Sequence, residues 1–323
     1  MKNKLPKVGI ILPCFNESDF ILGSIEKLNK ELSEIKKKNL VSEFKICFVD
    51  DGSKDDTWVK IKSIVKNNLK LFYGIKFSKN FGHQNALYAG IEYLNDKTDC
   101  IITMDSDLEQ DVTKIEEFIL KYLEGNEIVL GIRNNRDEDT FFKKTTSNIY
   151  HYIFRSIGGN IIKNHADFRL ISQRVAKELT NFKEYNIFLR YMITDMGFKQ
   201  SHVYFDVKRH PKRKSKYSFI KMFNLGLDGL TSYSIIPLRL STIIGLLTIF
   251  FSIVMIIVIF YDKLVLNVET PGWASTVLPI YLIGGINLFF LGIIGEYIGK
   301  IFLEVKQRPK YIIEEITEET QIK

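Results

Sequence analysis

Cysteine is scarce in this chain of 323 residues: Cys14, Cys47 and Cys100 each sit in an apolar stretch, and no two are spaced as Cys-x-x-Cys. That excludes a disulfide framework and a cysteine-based zinc site, and it suits a reducing compartment. Proline is also sparse, at 7 residues against 20 glycines, so neither a collagen-like repeat nor a proline-rich disordered chain is present. The stretch from Met1 to Lys7 runs into only a few apolar residues before Pro13, too few for the apolar region of a secretory signal. The first domain is therefore expected on the cytosolic side. Charge, in turn, is missing from two long runs, Leu240 to Tyr261 and Thr270 to Gly295. Each is long enough to cross a bilayer as a helix, and a stretch such as Ile253 to Phe260 has no polar face to turn toward water.

Hydrophobic residues make up 46% of the chain and charged ones 26%, so a core can be buried. At about 150 residues per domain, the length allows two domains. The formal net charge is +7. That charge leaves nucleic acid, phospholipid and a phosphate-bearing substrate open as the anionic partner, and composition alone does not choose among them; the motifs below favour the last two, with no nucleic acid expected. Lys208, Arg209, Lys212, Arg213, Lys214, Lys216, Lys221 and Arg239 precede the first apolar run, and Lys300, Lys306, Arg308 and Lys310 follow the second; the loop between carries only Lys263. By the positive-inside rule, the chain is expected in the inner (cytoplasmic) membrane with its catalytic domain and both ends in the cytoplasm. Phe219, Phe223, Leu227 and Leu230 recur at helical spacing opposite Lys221, Asn224 and Asp228, which predicts an interfacial helix over 217–236, with packing against the soluble domain as the alternative. The expected organisation is a cytoplasmic domain over 1–216, that helix, two spans within 237–304 and a tail over 305–323. The acidic end from Ile313 onward is expected to be solvated. Gly284, Gly285, Gly292 and Gly295 offer small-residue packing faces in the second span, which leaves a homo-oligomer open.

Upstream, strand-like runs at Val8–Leu12, Lys45–Val49, Leu71–Phe77, Cys100–Met104 and Glu127–Leu130 alternate with helical patterns at Phe20–Lys38, Thr57–Lys66, Gln84–Leu94 and Thr113–Leu123. Alternation of this kind predicts an α/β fold with a mainly parallel sheet. Ligands of such sheets bind beyond the carboxyl ends of the strands. Those ends here carry Pro13-Cys14-Phe15-Asn16-Glu17, then Asp50-Asp51-Gly52-Ser53, then Asp105-Ser106-Asp107-Leu108-Glu109. A single acid in such a turn is commonly a helix cap, and Asp55, Asp56 and Thr57 suit that part. Asp105-x-Asp107 offers two hard oxygen donors suited to Mg²⁺ or Mn²⁺, with phosphate oxygens completing the shell. Arg133, Arg169 and the basic run 208–216 supply positive charge for a diphosphate or for lipid head groups.

Asn16-Glu17, Val49-Asp50-Asp51-Gly52-Ser53, Asn80-Phe81-Gly82, Met104-Asp105-Ser106-Asp107-Leu108, Gly131-x-Arg133, Ala166-Asp167-Phe168-Arg169-Leu170, Ser215-Lys216-Tyr217, Asp228-Gly229-x-Thr231-Ser232 and Gly292-Ile293-Ile294-Gly295-Glu296-Tyr297 occur in this order. Together they resemble the polyprenyl-phosphate glycosyltransferases of glycosyltransferase family 2, the group that holds dolichol-phosphate mannose synthase and the bacterial bactoprenol glucosyltransferases. The resemblance spans roughly residues 6 to 311. It implies a GT-A, Rossmann-like domain and inverting transfer of a sugar from a nucleotide diphosphate, UDP-glucose being favoured, to a polyprenyl phosphate such as undecaprenyl phosphate. By the same resemblance Asp50, Asp51 and Ser53, with Pro13, Phe15, Asn16 and Glu17, would hold the nucleotide. Asp105 and Asp107 would hold the metal and diphosphate, Arg133 the phosphate or donor sugar, and Asp167 and Arg169 the transfer centre. Arg209, Arg213, Ser215, Lys216 and Tyr217 would face the acceptor.

One departure stands out. Many relatives read Asp-x-Asp-Leu-Gln-Pro where this chain has Glu109, Gln110 and Asp111, so Glu109 is expected to add a third, charged metal ligand. No Gln-x-x-Arg-Trp motif occurs, which argues against a processive polysaccharide synthase. A membrane-anchored family 2 enzyme acting on a soluble glycan is the nearest alternative. A non-catalytic membrane scaffold would leave the acidic strand ends without a purpose.

Overall fold

Among the described residues, eight strands assemble into one sheet in the order β7 (Gln200–Phe205), β5 (Ile128–Arg133), β6 (His165–Ser172), β4 (Cys100–Thr103), β1 (Lys7–Cys14), β2 (Glu43–Asp50), β3 (Phe72–Phe77), β8 (Ile313–Thr317). The computed structural model describes residues 5–134, 162, 164–207, 236–264 and 272–317, and the account that follows concerns these. The first half alternates β1 (Lys7–Cys14), α1 (Ile21–Lys37), β2 (Glu43–Asp50), α2 (Thr57–Asn67), β3 (Phe72–Phe77), α3 (His83–Leu94), β4 (Cys100–Thr103), α4 (Ile115–Leu123) and β5 (Ile128–Arg133). After it come β6 (His165–Ser172), α5 (Gln173–Asn181), α6 (Leu189–Asp195) and β7 (Gln200–Phe205), and later α7 (Ile236–Leu264), α8 (Trp273–Val305) and β8 (Ile313–Thr317). Every strand and helix expected upstream of β6 is present. Only β6 and β8 run antiparallel to their neighbours.

Helices cover both faces of the central strands, which is why β1 is an almost unbroken apolar run, buried from Val8 to Cys14. In α1, Ile21, Ile25, Leu28, Leu32 and Ile35 form one buried stripe at helical spacing, and Lys36 and Lys37 lie at its carboxyl end, where the helix dipole favours positive charge. Strand β6 sorts its side chains by alternation. Ala166, Phe168 and Leu170 enter the main apolar cluster, whereas Asp167 and Arg169 face the other way. Phe168 packs between Phe118 and Phe205, at ring-centroid distances of 4.5 and 5.3 Å.

Gly131 marks a register shift between β5 and β6. A Cβ there would collide with the Phe168 carbonyl oxygen and lie 2.9 Å from the Phe205 ring. Gly131→Ala is therefore expected to destabilise the protein by about 1–3 kcal/mol, as overpacking typically does, and to displace Arg133 two residues on. A thermal unfolding scan measures the first effect.

The tail departs from expectation. Ile313–Thr317 is not a solvated end but an edge strand, paired antiparallel with β3. Its acids are matched by cationic and N–H groups: Lys76 lies 3.0 Å from Glu314, Lys62 lies 3.5 Å from Glu315, and the Trp58 indole donates to Glu315 at 2.7 Å. The alternation Ile313, Glu314, Glu315, Ile316 does not read as a strand by itself; the open edge of β3 supplies the partner.

The chain divides into two compact units, Met1–Lys216 with Pro309–Lys323, and Tyr217–Arg308. In the second unit α7 and α8 are long and apolar enough to cross a membrane. Leu246, Leu247, Ile249, Phe250 and Phe251 are all exposed on α7, as are Leu288, Phe289 and Leu291 on α8. A core helix would bury such side chains. The expected interfacial helix lies outside the described residues up to Ile235.

Candidate active site

The three acidic turns converge because their strands are neighbours. β4, β1 and β2 lie side by side and parallel, so the turns after Thr103, Cys14 and Asp50 leave the same edge of the sheet. Side-chain bonds stitch the first two turns together. The Asn16 amide donates to Ser53 Oγ at 2.9 Å, the Lys54 amide to Asn16 Oδ1 at 2.9 Å, and the Glu17 amide to Thr57 Oγ1 at 2.9 Å. Asn16 adopts a left-handed φ of 54°, a conformation Asn tolerates better than most side chains. Pro13 is buried, while Phe15 is 40% exposed beside the turn.

Asp50 and Asp51 differ in what they hold. Asp50 Oδ1 accepts from the Ser53 amide and hydroxyl, whereas its buried Oδ2 has no hydrogen-bond partner among the described residues. Asp51 uses both oxygens, taking the Phe81 amide at 2.6 Å and the Gly82 amide at 2.9 Å. It thereby fixes the entry to α3. Burial pushes both carboxyl groups up, against these hydrogen bonds. Capping near α2 falls to Asp55, whose Oδ1 accepts from the Thr57 amide at 3.1 Å, not to Asp56.

Strand β6 brings the second half of the site. Its antiparallel register pairs Thr103 with Arg169; continued by two residues, it sets Asp167 level with Asp105. His83, the first residue of α3, bridges them, with Nε2 at 3.7 Å from both Asp105 Oδ1 and Asp167 Oδ2. Asp167 is gripped by Arg169 and by Arg190, whose Nη2 lies 2.6 Å from Oδ2. Burial raises the Asp167 pKa, but Arg190 and Arg169 outweigh it and hold the carboxyl well below its usual range. Arg169 is fully buried, and that burial pulls its pKa down to about 10. Asp105 shifts the other way: scarce solvation raises it, the negative charges of Asp167 and Asp107 add to the rise, and His83 and Arg133 only partly offset it.

Gln110 holds Asp105 at both ends, its Nε2 donating to Oδ2 at 2.5 Å and its Oε1 accepting from the Asp105 amide at 2.8 Å. Asp107 Oδ1 accepts from the Glu109 amide at 3.1 Å, and Leu108 between them takes a φ of 49°. Among the described residues, no three His, Cys, Asp or Glu side chains gather in a group that could hold an ion. The three-ligand set of Asp105, Asp107 and Glu109 is thus not assembled from side chains alone. The fit to a divalent cation rests on Asp105 and Asp107, two hard carboxylates on one turn, where desolvation first, and the charges of Asp167 and Asp107 after it, raise the Asp105 pKa.

Arg133, at the end of β5, stands near enough to Asp105 to lower its pKa, and its own Nε is buried without a partner among the described residues. His83, Gln110, Arg190 and Gln84, whose Nε2 donates to Asp167 Oδ1 at 3.4 Å, were not assigned a role from sequence. His83 follows directly on Asn80-Phe81-Gly82 and opens a helix after a strand, which was a usable signal. Gln110 stands one place beyond the amide of the common pattern. Arg190 gave no local sign at all. Arg209, Arg213, Ser215, Lys216 and Tyr217 lie outside the described residues.

Acidic turns at the ends of β4, β1 and β2, faced by an antiparallel strand carrying Asp167 and Arg169, lie on a GT-A-like α/β domain. The model of the Glycosyl transferase family 2 matches residues 9–180, and the chain belongs to that family. It is 42% identical to the glycosyltransferase YkoT of Bacillus subtilis (strain 168) over 97% of this chain and 93% of that one. It is 33% identical to the SfII prophage-derived bactoprenol glucosyl transferase of Shigella flexneri, over 95% of this chain and 97% of that one. A solved mannosyltransferase from Pyrobaculum calidifontis, in complex with GDP-Man and Mn²⁺, aligns with a TM-score of 0.46 at 13% identity, covering 65% of this chain and 59% of that chain.

Proposed function

We propose that this glycosyltransferase moves a sugar, glucose in our reading, from UDP-glucose to undecaprenyl phosphate at the cytoplasmic face of the inner membrane, with inversion at the anomeric carbon. The observation that carries this reading is the juxtaposition of Asp105, His83 and Asp167 at the end of β4. Likeness to bactoprenol glucosyl transferases over nearly the full length supports the acceptor.

The buried Asp50 Oδ2 is an acceptor suited to an N–H of the base or a ribose hydroxyl, and Asp51 keeps the adjoining turn in place. Pro13, Phe15, Asn16, Glu17 and Ser53 line the same side. Asp105 and Asp107 are the residues that would hold Mg²⁺ or Mn²⁺ together with the donor diphosphate. Such a cation supplies electrostatic stabilisation of the negative charge that grows on the departing nucleoside diphosphate. Arg133 adds positive charge beside it.

A phosphate monoester has a second pKa near 6, so the acceptor is already anionic at neutral pH and needs no strong base. Asp167 suits that chemistry. Held ionised by two arginines, it is a poor proton carrier and a good fixed negative charge, able to stabilise positive charge at the anomeric carbon and to orient the acceptor. Arg209, Arg213, Ser215, Lys216 and Tyr217 complete the acceptor side in this reading. The basic flanks of α7 and α8 favour both ends of the chain in the cytoplasm.

The test is a screen of nucleotide-sugars with the full-length enzyme in detergent, with Mg²⁺ or Mn²⁺ and undecaprenyl phosphate, following lipid-linked product. Formation of a phosphate-linked monosaccharide from UDP-glucose is the expected result. Transfer to a soluble glycan with none to the lipid would replace this reading with that of a membrane-anchored soluble-acceptor enzyme.

A further inference from the structure

We propose that Tyr311, in the short segment that follows α8, is a positioning residue for the donor pocket, acting through the turn 78–82. The inference rests on reading the Asp50–Asp51 end of the sheet as the donor side. It adds a control element that the acidic motifs do not contain.

Residues 310–312 grip the catalytic unit on both sides of that turn. The Tyr311 ring stacks on Phe77, the last residue of β3, with centroids 4.9 Å apart and planes 15° from parallel. Phe77 meets Phe81 edge-on at 5.7 Å. Phe81 and Gly82 then deliver their amides to the Asp51 carboxylate. A second grip is on the body of α3, where the Tyr311 hydroxyl donates to Glu92 and Lys310 sits 4.1 Å from the centre of the Tyr88 ring. The backbone joins in: the Ser78 amide donates to the Ile312 carbonyl at 3.0 Å, and Lys310 Nζ donates to the Phe182 carbonyl at 2.8 Å.

The turn so gripped has little freedom to relax. Gly52, in the loop after Asp51, has a φ of +67°, and a Cβ there would strike the Lys79 backbone. The 79–80 backbone therefore rests directly on the Asp50–Ser53 loop, and any shift of the turn is transmitted to Asp51 on one side and to His83 on the other. The segment that does the gripping starts five residues after Val305, the end of an apolar helix. Without the Tyr311–Phe77 stack, Phe81 loses the neighbour that sets its edge-on position, and the Asp51 bonds loosen with it.

The experiment uses the full-length protein in detergent as wild type, Tyr311→Ala and Tyr311→Phe, with UDP and GDP plus Mg²⁺ as probes. Tyr311→Leu replaces the alanine variant if that protein does not fold. Hydrogen exchange at residues 78–82 and calorimetric binding of the nucleotides are read, together with KM for donor and for undecaprenyl phosphate. Loss of the ring is expected to speed exchange in the turn and weaken nucleotide binding about 3- to 10-fold, the range of an aromatic pair, with the acceptor KM unchanged. Tyr311→Phe keeps the stack and is expected to stay near wild type. Unchanged exchange and binding in the alanine or leucine variant, or equal damage in the phenylalanine variant, overturns the proposal. A wild type that binds neither nucleotide overturns the donor-side reading itself, whatever the exchange data show.

Discussion

Asp105→Asn is expected to abolish sugar transfer and to leave the protein at least as stable as the wild type. The side chains are nearly the same size, and the new amide can turn its oxygen toward Gln110 Nε2, which now donates to Asp105 Oδ2 at 2.5 Å. The sign of the stability effect follows from the raised pKa of Asp105, caused by scarce solvation and by the charges of Asp167 and Asp107. An acid whose folded pKa lies above its unfolded value costs the native state stability as pH rises past the unfolded value. At pH 7 a neutral amide removes that cost. Activity moves the other way, because the carboxylate charge that the amide removes is what would hold a cation, and through that cation the donor diphosphate. A loss of at least about 10²–10³-fold in turnover is expected, comparable to removing one group that stabilises developing charge. Asp107→Asn should lose as much. Transfer of labelled sugar and thermal unfolding, measured on the same preparation, check both halves. Wild-type turnover in either variant would remove these residues from the reaction.

Asp167→Ala should instead damage the fold as well as the reaction. Arg169 is fully buried, and its Nε and Nη1 have no partners among the described residues, so Asp167 is its balancing charge. Removing one partner of a buried pair typically costs about 3–5 kcal/mol, because the other charge is left uncompensated. Arg190, with 35% of its side chain exposed, can turn to water and adds little to that cost. Pairing Asp167→Ala with Arg169→Met should restore much of the stability and none of the transfer, which separates the structural role from the chemical one. Denaturant unfolding of the single and double variants gives the coupling. The pH dependence has a definite sign. A carboxylate with a depressed folded pKa contributes its full stability above its unfolded value of about 3.9 and loses it as the pH falls toward the folded one. Wild type should therefore show an acid-side loss of stability that the double variant lacks.

Much of the fold was legible because its signals are local. Val8–Leu12 and Cys100–Met104 are apolar runs of strand length, and the stripe from Ile21 to Ile35 repeats at helical spacing. Strand β6 also carries a legible pattern: His165, Asp167 and Arg169 alternate with Ala166, Phe168 and Leu170. Its polar members occupy every second place, which is the period of a strand, although only a motif and no strand was expected there. β8 is the opposite case. Glu314 and Glu315 read as solvated acids, and only the vacant edge of β3, with Lys76 and Lys62 beside it, makes them part of a sheet.

The sequence by itself determined the order of β-α units, the two charge-free helices, the acidic turns after β1, β2 and β4, and through its ordered motifs the family. These depend on neighbours within a few residues, where periodicity and turn chemistry act. Only the tertiary structure decided which carboxylate does what: Asp51 spent on the α3 entry, Asp50 with an oxygen to spare, Asp105 clamped by Gln110, and Asp167 held between arginines at 169 and 190. A carboxylate's charge and partners are fixed by groups brought near it from distant parts of the chain, and desolvation and Coulomb forces act on distance in space, to which spacing along the sequence is blind.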